Sequence, residues 1–272
     1  MTLALPPLRA GCHRANASAR RHPRLPASPA APRSAARARA LRPPSVASAA
    51  SRTSPPPPPH LEDVLLRSGR TTDMAHALWR AVARKGDVAV DATAGNGWDT
   101  AYLAELVLGD AGEDPGLVLA FDVQQSALLA TRRRVDERFE QEKASRVRLV
   151  LDSHANLQEY VAREVDTINT HDGGVGVICF NLGYLPGKDS DKTVATKTES
   201  TFAAVRAAVF SLRPGGVLTV VGYVGHEGGA EETSAVEALT RTLDPKQFTA
   251  TTHLVVNREN CPRLIAVHRK EI

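Results

Sequence analysis

The feature that most constrains this chain is an alternation. From residue 88 onward, short apolar runs alternate with helical patterns. Val88-Ala-Val-Asp91 reads as a strand, Ala94-Gly-Asn-Gly97 as a turn, and Trp98 to about Leu108 as a helix. Leu117–Asp122 and Val147–Leu151 read as the second and third strands, with a helix from Gln124 to Phe139 between them. Val175–Phe180 reads as the fourth. Val205, Ala208, Val209 and Leu212 then recur at i, i+3, i+4 and i+7, one buried helical face. Arg213-Pro-Gly-Gly216 is expected to stop that helix. A fifth strand over Val217–Val221, a helix over Glu231–Leu243, and strands over Phe248–Val256 and Leu264–His268 complete the pattern. Such alternation requires crossovers, so the first five strands should lie parallel with helices on both faces. The expected fold is α/β, a doubly wound and mostly parallel seven-stranded sheet. His60–Arg84 reads as a leading helix, and Gly109–Gly116 and Asp166–Gly174 as surface loops.

The N-terminal stretch has a different composition. Residues 1–59 contain no Asp, Glu or Lys but hold ten Arg, many Ala and Ser, and the run Pro55 to Pro59. Arg-rich, Ser-rich and acid-free is the composition of an organelle transit peptide, and no apolar run of a secretory signal follows the charges. The alternative is a disordered, proline-rich arm that stays attached. The expected organisation is therefore residues 1–59 as targeting segment and residues 60–272 as one domain. Its Ala/Ser/Pro richness favours the chloroplast over the mitochondrion. The net charge of the whole chain is +4, but without those ten arginines residues 60–272 carry −6. The basic balance is thus no evidence for nucleic-acid binding, and any polyanion site must be a local patch. Beyond residue 59 only Cys179 and Cys261 occur, with no metal-ligand spacing, so no metal is expected. No apolar run approaches 18 residues, so no membrane span is expected. The sequence leaves the oligomeric state open, a homodimer included.

The chemistry-bearing residues fall at strand ends. Asp91-Ala-Thr-Ala-Gly95-Asn-Gly97 lets backbone approach a ligand and offers the N–H groups of a helix start. A dinucleotide turn would want a third glycine where Thr100 stands. Asp-x-x-x-Gly-x-Gly suits S-adenosylmethionine better, because that cofactor carries an ammonium, which wants a carboxylate, and no pyrophosphate. A tight turn without ligand is the alternative. Asp122 ends the second strand, where two carboxylate oxygens match the vicinal hydroxyls of a ribose; a helix N-cap is the other reading. Asp152-Ser153-His154 ends the third strand, where Asp152 could accept from an adenine amino group beside the backbone N–H groups of Ser153 or His154, or simply cap a turn. Asn181-Leu-Gly-Tyr184 ends the fourth. It keeps the spacing of Asn/Asp-Pro-Pro-Tyr/Phe, in which the Asn oxygen accepts from a target amine and the aromatic ring stacks on the base. A turn after a buried strand is the alternative. His226, after the fifth strand, could shuttle a proton or make structural hydrogen bonds.

Taken together, these stretches resemble the bacterial group labelled "putative rRNA methylase", at least some of whose members methylate 5-aminomethyl-2-thiouridine in tRNA. The resemblance is carried by Val90-Asp-Ala-Thr-Ala-Gly-Asn-Gly97 with Asp99-Thr100, Phe121-Asp122, Ser153-His154 and Phe180-Asn-Leu-Gly-Tyr-Leu-Pro-Gly187. Thr196-Lys197, Leu212-Arg-Pro-Gly-Gly216, Gly225-His226 with Gly228-Gly229, and Asn257, Asn260 and Pro262 extend it. It implies a class I, Rossmann-like S-adenosylmethionine-dependent methyltransferase. Asp91, Thr93, Gly95, Asn96, Gly97, Asp99 and Thr100 would hold the cofactor with Asp122, Asp152, Ser153, His154 and Asn181. Asn181, Tyr184 and His226 would serve the reaction. The implied substrate is the wobble uridine of a tRNA anticodon stem-loop, whose phosphates could meet Lys188, Lys192 and Lys197, unless these belong to a solvated loop with Asp189 and Asp191. The chain departs from the group at Arg263, where a second proline is usual, at Asp152, where an uncharged polar residue is usual, and in two longer insertions. An rRNA substrate, a catalytically silent cofactor-binding RNA chaperone and a nicotinamide-dependent oxidoreductase are the competing readings.

Overall fold

The computed structural model describes Val64 and residues 69–110, 115–168, 173–183, 198–225 and 228–271, within the unit Pro55–Ile272. The expected targeting segment lies outside the described residues. The elements run α1 (Thr71–Val82), β1 (Val88–Asp91), α2 (Trp98–Val107), β2 (Leu117–Asp122), α3 (Gln125–Arg138), α4 (Gln141–Ser145) and β3 (Val147–Leu151). Then follow α5 (Leu157–Ile168), β4 (Val175–Leu182), α6 (Thr198–Ser211), β5 (Leu212–Gly222), α7 (Gly229–Arg241), β6 (Phe248–His253) and β7 (Arg263–Arg269).

The strands form one seven-stranded sheet in the order β3-β2-β1-β4-β5-β7-β6. β1 to β5 pair parallel, and β7 runs antiparallel to both β5 and β6. β1 pairs with β2 on one side and β4 on the other, so the chain reverses its direction of travel across the sheet there. Such a switch point opens a crevice at the carboxyl ends of the strands. Alternate residues of each strand feed two cores. Val90, Phe121, Phe180 and Val220 face Leu157 and Val161 of α5, Val205 and Val209 of α6, and Val236 of α7. Ala89, Val118, Val177 and Val221 face Trp79 of α1, Leu103 and Val107 of α2, and Val135 of α3. A sheet covered on both faces needs apolar residues at every strand position, which is why these strands read as continuous apolar runs.

The expected seven-stranded, doubly wound architecture is present. Several boundaries differ, each for a local reason. The leading helix spans Thr71–Val82 among the described residues. It is anchored by the buried Trp79, whose Nε1 donates to Thr219 Oγ1 of β5 at 2.8 Å. Helix α5 was not anticipated, and it runs into the segment expected to be a loop from Asp166. The helix stops before Arg213-Pro-Gly-Gly216 as expected, at Ser211, but β5 begins at Leu212 rather than Val217. The pairing then jumps from Val175↔Leu212 to Val177↔Val217. Pro214 has no N–H for the ladder and Gly215 takes φ 73°, so the strand starts with a bulge. β6 ends at His253 rather than Val256, whose side chain is 87% exposed and has no core to face.

Candidate active site

The carboxyl ends of β1, β2, β3 and β4 carry Asp91, Asp122, Asp152 and Asn181. The turn after β1 is built around Asp91. This residue is fully buried; its Oδ2 accepts from Thr100 Oγ1 at 2.6 Å and its Oδ1 from the Thr93 amide at 3.2 Å. Thr100, where a dinucleotide turn would have glycine, is thus needed for its hydroxyl. Burial first, then the negative charge of Asp99, raises the Asp91 carboxyl to about 7. Gly95 and Gly97 follow at φ 53° and 75°. At Gly97 a Cβ would stand 2.7 Å from the Thr131 Cα, so α3 crosses where only glycine fits. Arg134 clasps the turn from outside. Its Nε donates to the Asn96 carbonyl at 2.7 Å while its guanidinium lies 3.2 Å above the Trp98 ring.

Asp122 joins this turn to β2. Its Oδ2 accepts from the Gly95 amide and its Oδ1 from the Gln124 amide, both at 2.9 Å. A carboxylate has about four acceptor sites, so capacity remains on both oxygens. Burial raises its pKa above the usual carboxylate value. Asp152 is engaged locally. It accepts from the Ser153 amide at 2.7 Å, from Asn156 Nδ2 at 3.0 and 3.1 Å, and from the Tyr160 hydroxyl at 3.1 Å. The Asn156 bond contributes most to holding its pKa below the usual value. Ser153 Oγ accepts from the Ala155 amide at 3.2 Å and caps a single 3-10 turn over His154–Asn156. His154 is buried against Phe180, with ring centroids 5.6 Å apart; burial lowers its pKa, and its Nε2 has no partner.

Asn181 is the junction of the site. Its amide N–H donates to Thr93 Oγ1 at 2.7 Å and its Nδ2 to Asp99 Oδ2 at 2.5 Å. Its Oδ1 is buried without a partner. Asp99 Oδ1 lies 2.6 Å from His76 Nε2, and the His76 ring stacks on Tyr102 at 4.4 Å and tilts against Trp79 at 4.8 Å. The structure therefore brings Asp91, Thr93, Asp99, Thr100 and Asn181 into one hydrogen-bonded cluster, tied to Asp122 through the glycine turn. Asp152 and Ser153 hold their own turn. Tyr184, His226 and the three lysines lie outside the described residues. His76 was missed in the sequence; its one signal is a polar residue within the apolar segment Met74-Ala-His-Ala-Leu-Trp79. Among the described residues no group of three or more His, Cys, Asp or Glu could hold a metal ion, and no helix is long and apolar enough to cross a membrane.

Residues 118–269 match the family described as "Putative rRNA methylase". A relative from Arabidopsis thaliana, named tRNA (mnm(5)s(2)U34)-methyltransferase, chloroplastic, is 34% identical over 215 residues, covering 78% of this chain and 75% of its own. This chain belongs to the rRNA methylase family. Its solved neighbours agree. A "putative rRNA-methylase" from Clostridium thermocellum is 34% identical with a TM-score of 0.63, covering 74% of this chain and 97% of its own. A "putative methyltransferase" from Streptococcus mutans, solved in complex with SAH, is 30% identical with a TM-score of 0.59, covering 74% and 98%. Membership of this family makes the chain an S-adenosylmethionine-dependent methyltransferase, and the oxidoreductase reading falls away. The fold is that of the class I methyltransferases.

Proposed function

We propose that this rRNA methylase family member N-methylates the 5-aminomethyl group of a uridine, 2-thiolated, at the wobble position of tRNA, using S-adenosylmethionine. The observation that carries the reading is the Asn181 amide. Its oxygen is a buried acceptor without a partner, fixed beside the glycine turn at the switch point of the sheet. An orphaned acceptor in a native site costs free energy, and a ligand N–H repays it. The name of the Arabidopsis relative supports the substrate.

The residues present fit the cofactor. Asp91, Asp99 and Asp122 gather negative charge around the turn. A cationic sulfonium with an ammonium is favoured there, and a pyrophosphate is repelled. Asp122 would receive the ribose hydroxyls on its remaining acceptor capacity, and Gly95 with Gly97 would admit the ligand close to backbone. When bound, the cofactor supplies a methyl on sulfur that a neutral amine takes as the C–S bond breaks and its electron pair returns to sulfur. Asn181 Oδ1 accepts an N–H of that amine and leaves the nitrogen lone pair free. Holding the two reactants in this geometry is worth several kcal/mol of barrier. Tyr184 and His226 remain part of the proposal, as base-stacking and proton-handling residues. So do the anticodon stem-loop as partner and the chloroplast as destination, the latter supported by the relative's name.

The test is methyl transfer to purified tRNA bearing the aminomethyl group, with unmodified tRNA and rRNA fragments alongside. Asn181→Ala is expected to lower kcat by about 10²-fold, as lost positioning of a reacting atom does, with cofactor affinity by calorimetry nearly unchanged. Equal activity on unmodified uridine removes the amine mechanism. Activity on rRNA alone establishes the second reading, which the family description favours.

A further inference from the structure

We infer that Asp99 and His76 are positioning residues that set the orientation of the Asn181 amide, so that its oxygen and not its NH2 faces the substrate amine. The inference rests on the reading of Asn181 as the group that receives that amine. A carboxamide is ambivalent: one end accepts, the other donates, and a half-turn exchanges them. The choice matters for an amine about to be alkylated. An NH2 facing it would donate into the lone pair needed for the new bond. An oxygen facing it accepts an N–H and leaves the lone pair available.

The orientation is dictated by chemistry. A carboxylate is an acceptor only, so the atom of Asn181 at 2.5 Å from Asp99 Oδ2 is the amide nitrogen. A half-turn would set oxygen against oxygen and abolish a charge-assisted bond. Asp99 is itself held. Its other oxygen meets His76 Nε2 at 2.6 Å. The His76 ring is gripped by Tyr102 and Trp79, and Trp79 is pinned to Thr219 of β5. The Thr93 hydroxyl fixes the backbone of Asn181 itself at 2.7 Å. The relay thus runs from α1 through α2 to the end of β4. Its terminus is the Asn181 side-chain oxygen, buried without a hydrogen-bond partner.

Two measurements on the full-length protein test this. The first needs no substrate: hydrogen exchange at the Asn181 side-chain amide, followed by NMR. In wild type an Nδ2 proton should be protected. In Asp99→Ala it should exchange at least about tenfold faster, as expected for a lost buried hydrogen bond. Equal exchange rates overturn the inference, whatever the substrate proves to be. The second is kinetic, on whichever RNA the wild type methylates, so failure of the aminomethyl reading appears in wild type and failure of this inference only in the variants. Asp99→Asn presents an NH2 to position 181 and should turn the amide over. It should lower kcat at least about tenfold with both KM values within about twofold, the signature of an interaction lost in the transition state alone. Adding Asn181→Asp restores an acceptor opposite that NH2 and an oxygen facing the amine, so the double variant should exceed either single variant. His76→Gln, which can still donate to Asp99, should retain more activity than His76→Ala. A rise confined to the cofactor KM makes Asp99 a cofactor ligand instead. Losses that simply multiply in the double variant, or that track thermal unfolding, reduce the cluster to packing.

Discussion

Asp91 is the buried carboxylate around which the turn after β1 is built. It is fully buried, and both of its oxygens are bonded inside the turn. Desolvation is the largest cause of its raised pKa, followed by the charge of Asp99. The unfolded chain releases this proton near the ordinary value of about 3.9, whereas the folded protein holds it to about 7. Between those values the folded state binds more protons than the unfolded state. Its contribution to stability is therefore fully present below the lower pKa and is lost as pH rises through the higher one. Asp91→Asn should remove this dependence. Its urea midpoint, measured without cofactor, should flatten across that window and gain on wild type above pH 7. Parallel curves for the two proteins would show that Asp91 does not titrate there.

The turns and strands at the opposite end of the sheet are tied by a second polar cluster. Arg213 at the start of β5 is 2% exposed. Its Nε and Nη2 each reach Asp87 at 2.7 Å, and Nη2 also donates to the Val82 carbonyl at the end of α1 at 2.9 Å. One guanidinium thus joins α1, the entry to β1 and the bulge that opens β5. Removing one partner of such a pair leaves a buried charge unmatched. Arg213→Ala should cost about 3–5 kcal/mol, read as a lower denaturant midpoint with an unchanged slope. The exposed Arg84–Glu271 pair nearby is the contrast. Glu271→Ala should cost about 0–1 kcal/mol. Similar losses from both would mean that burial does not set the value of the clamp. The motif Leu212-Arg-Pro-Gly-Gly216, prominent in the sequence, therefore acts on architecture at the end of the sheet away from the chemistry.

For the whole molecule, the separation between residues 1–59 and the remainder is a prediction from charge and composition. The first part is basic and acid-free; the rest carries −6. An arm with few large apolar side chains and no aromatic residue has little to bury. A chain beginning at His60 should therefore unfold at the same temperature as the full chain, within a few degrees, and bind S-adenosylmethionine equally well. Residues 1–59 fused to a fluorescent reporter should carry it to the chloroplast. A large loss of stability on truncation would make the arm structural, and a cytosolic reporter would remove the targeting reading.

The sequence alone determined what depends on neighbouring residues. Short continuous apolar runs, a glycine turn and a helix start are local patterns, so the sheet, the turn after β1 and the placing of Asp91, Asp122 and Asn181 at strand ends were all legible. Helix α5 was not, because Glu164 sits on its inward face, 7% exposed and paired with Arg148, and interrupts the apolar stripe of Leu157, Val161 and Val165. The bulge in β5 was hidden for a similar reason: Pro and Gly after a helix signal a stop equally well whether a loop or an irregular strand follows. Tertiary structure alone decided which polar groups share a bond. His76 and Asn181 are separated by 105 positions in the chain, and nothing local to either names Asp99 as the residue between them. Packing α1 and α2 against the sheet brings them together. The direction of the Asn181 amide then follows from a simple asymmetry: a carboxylate can only accept, so the nitrogen must turn toward it and the oxygen away.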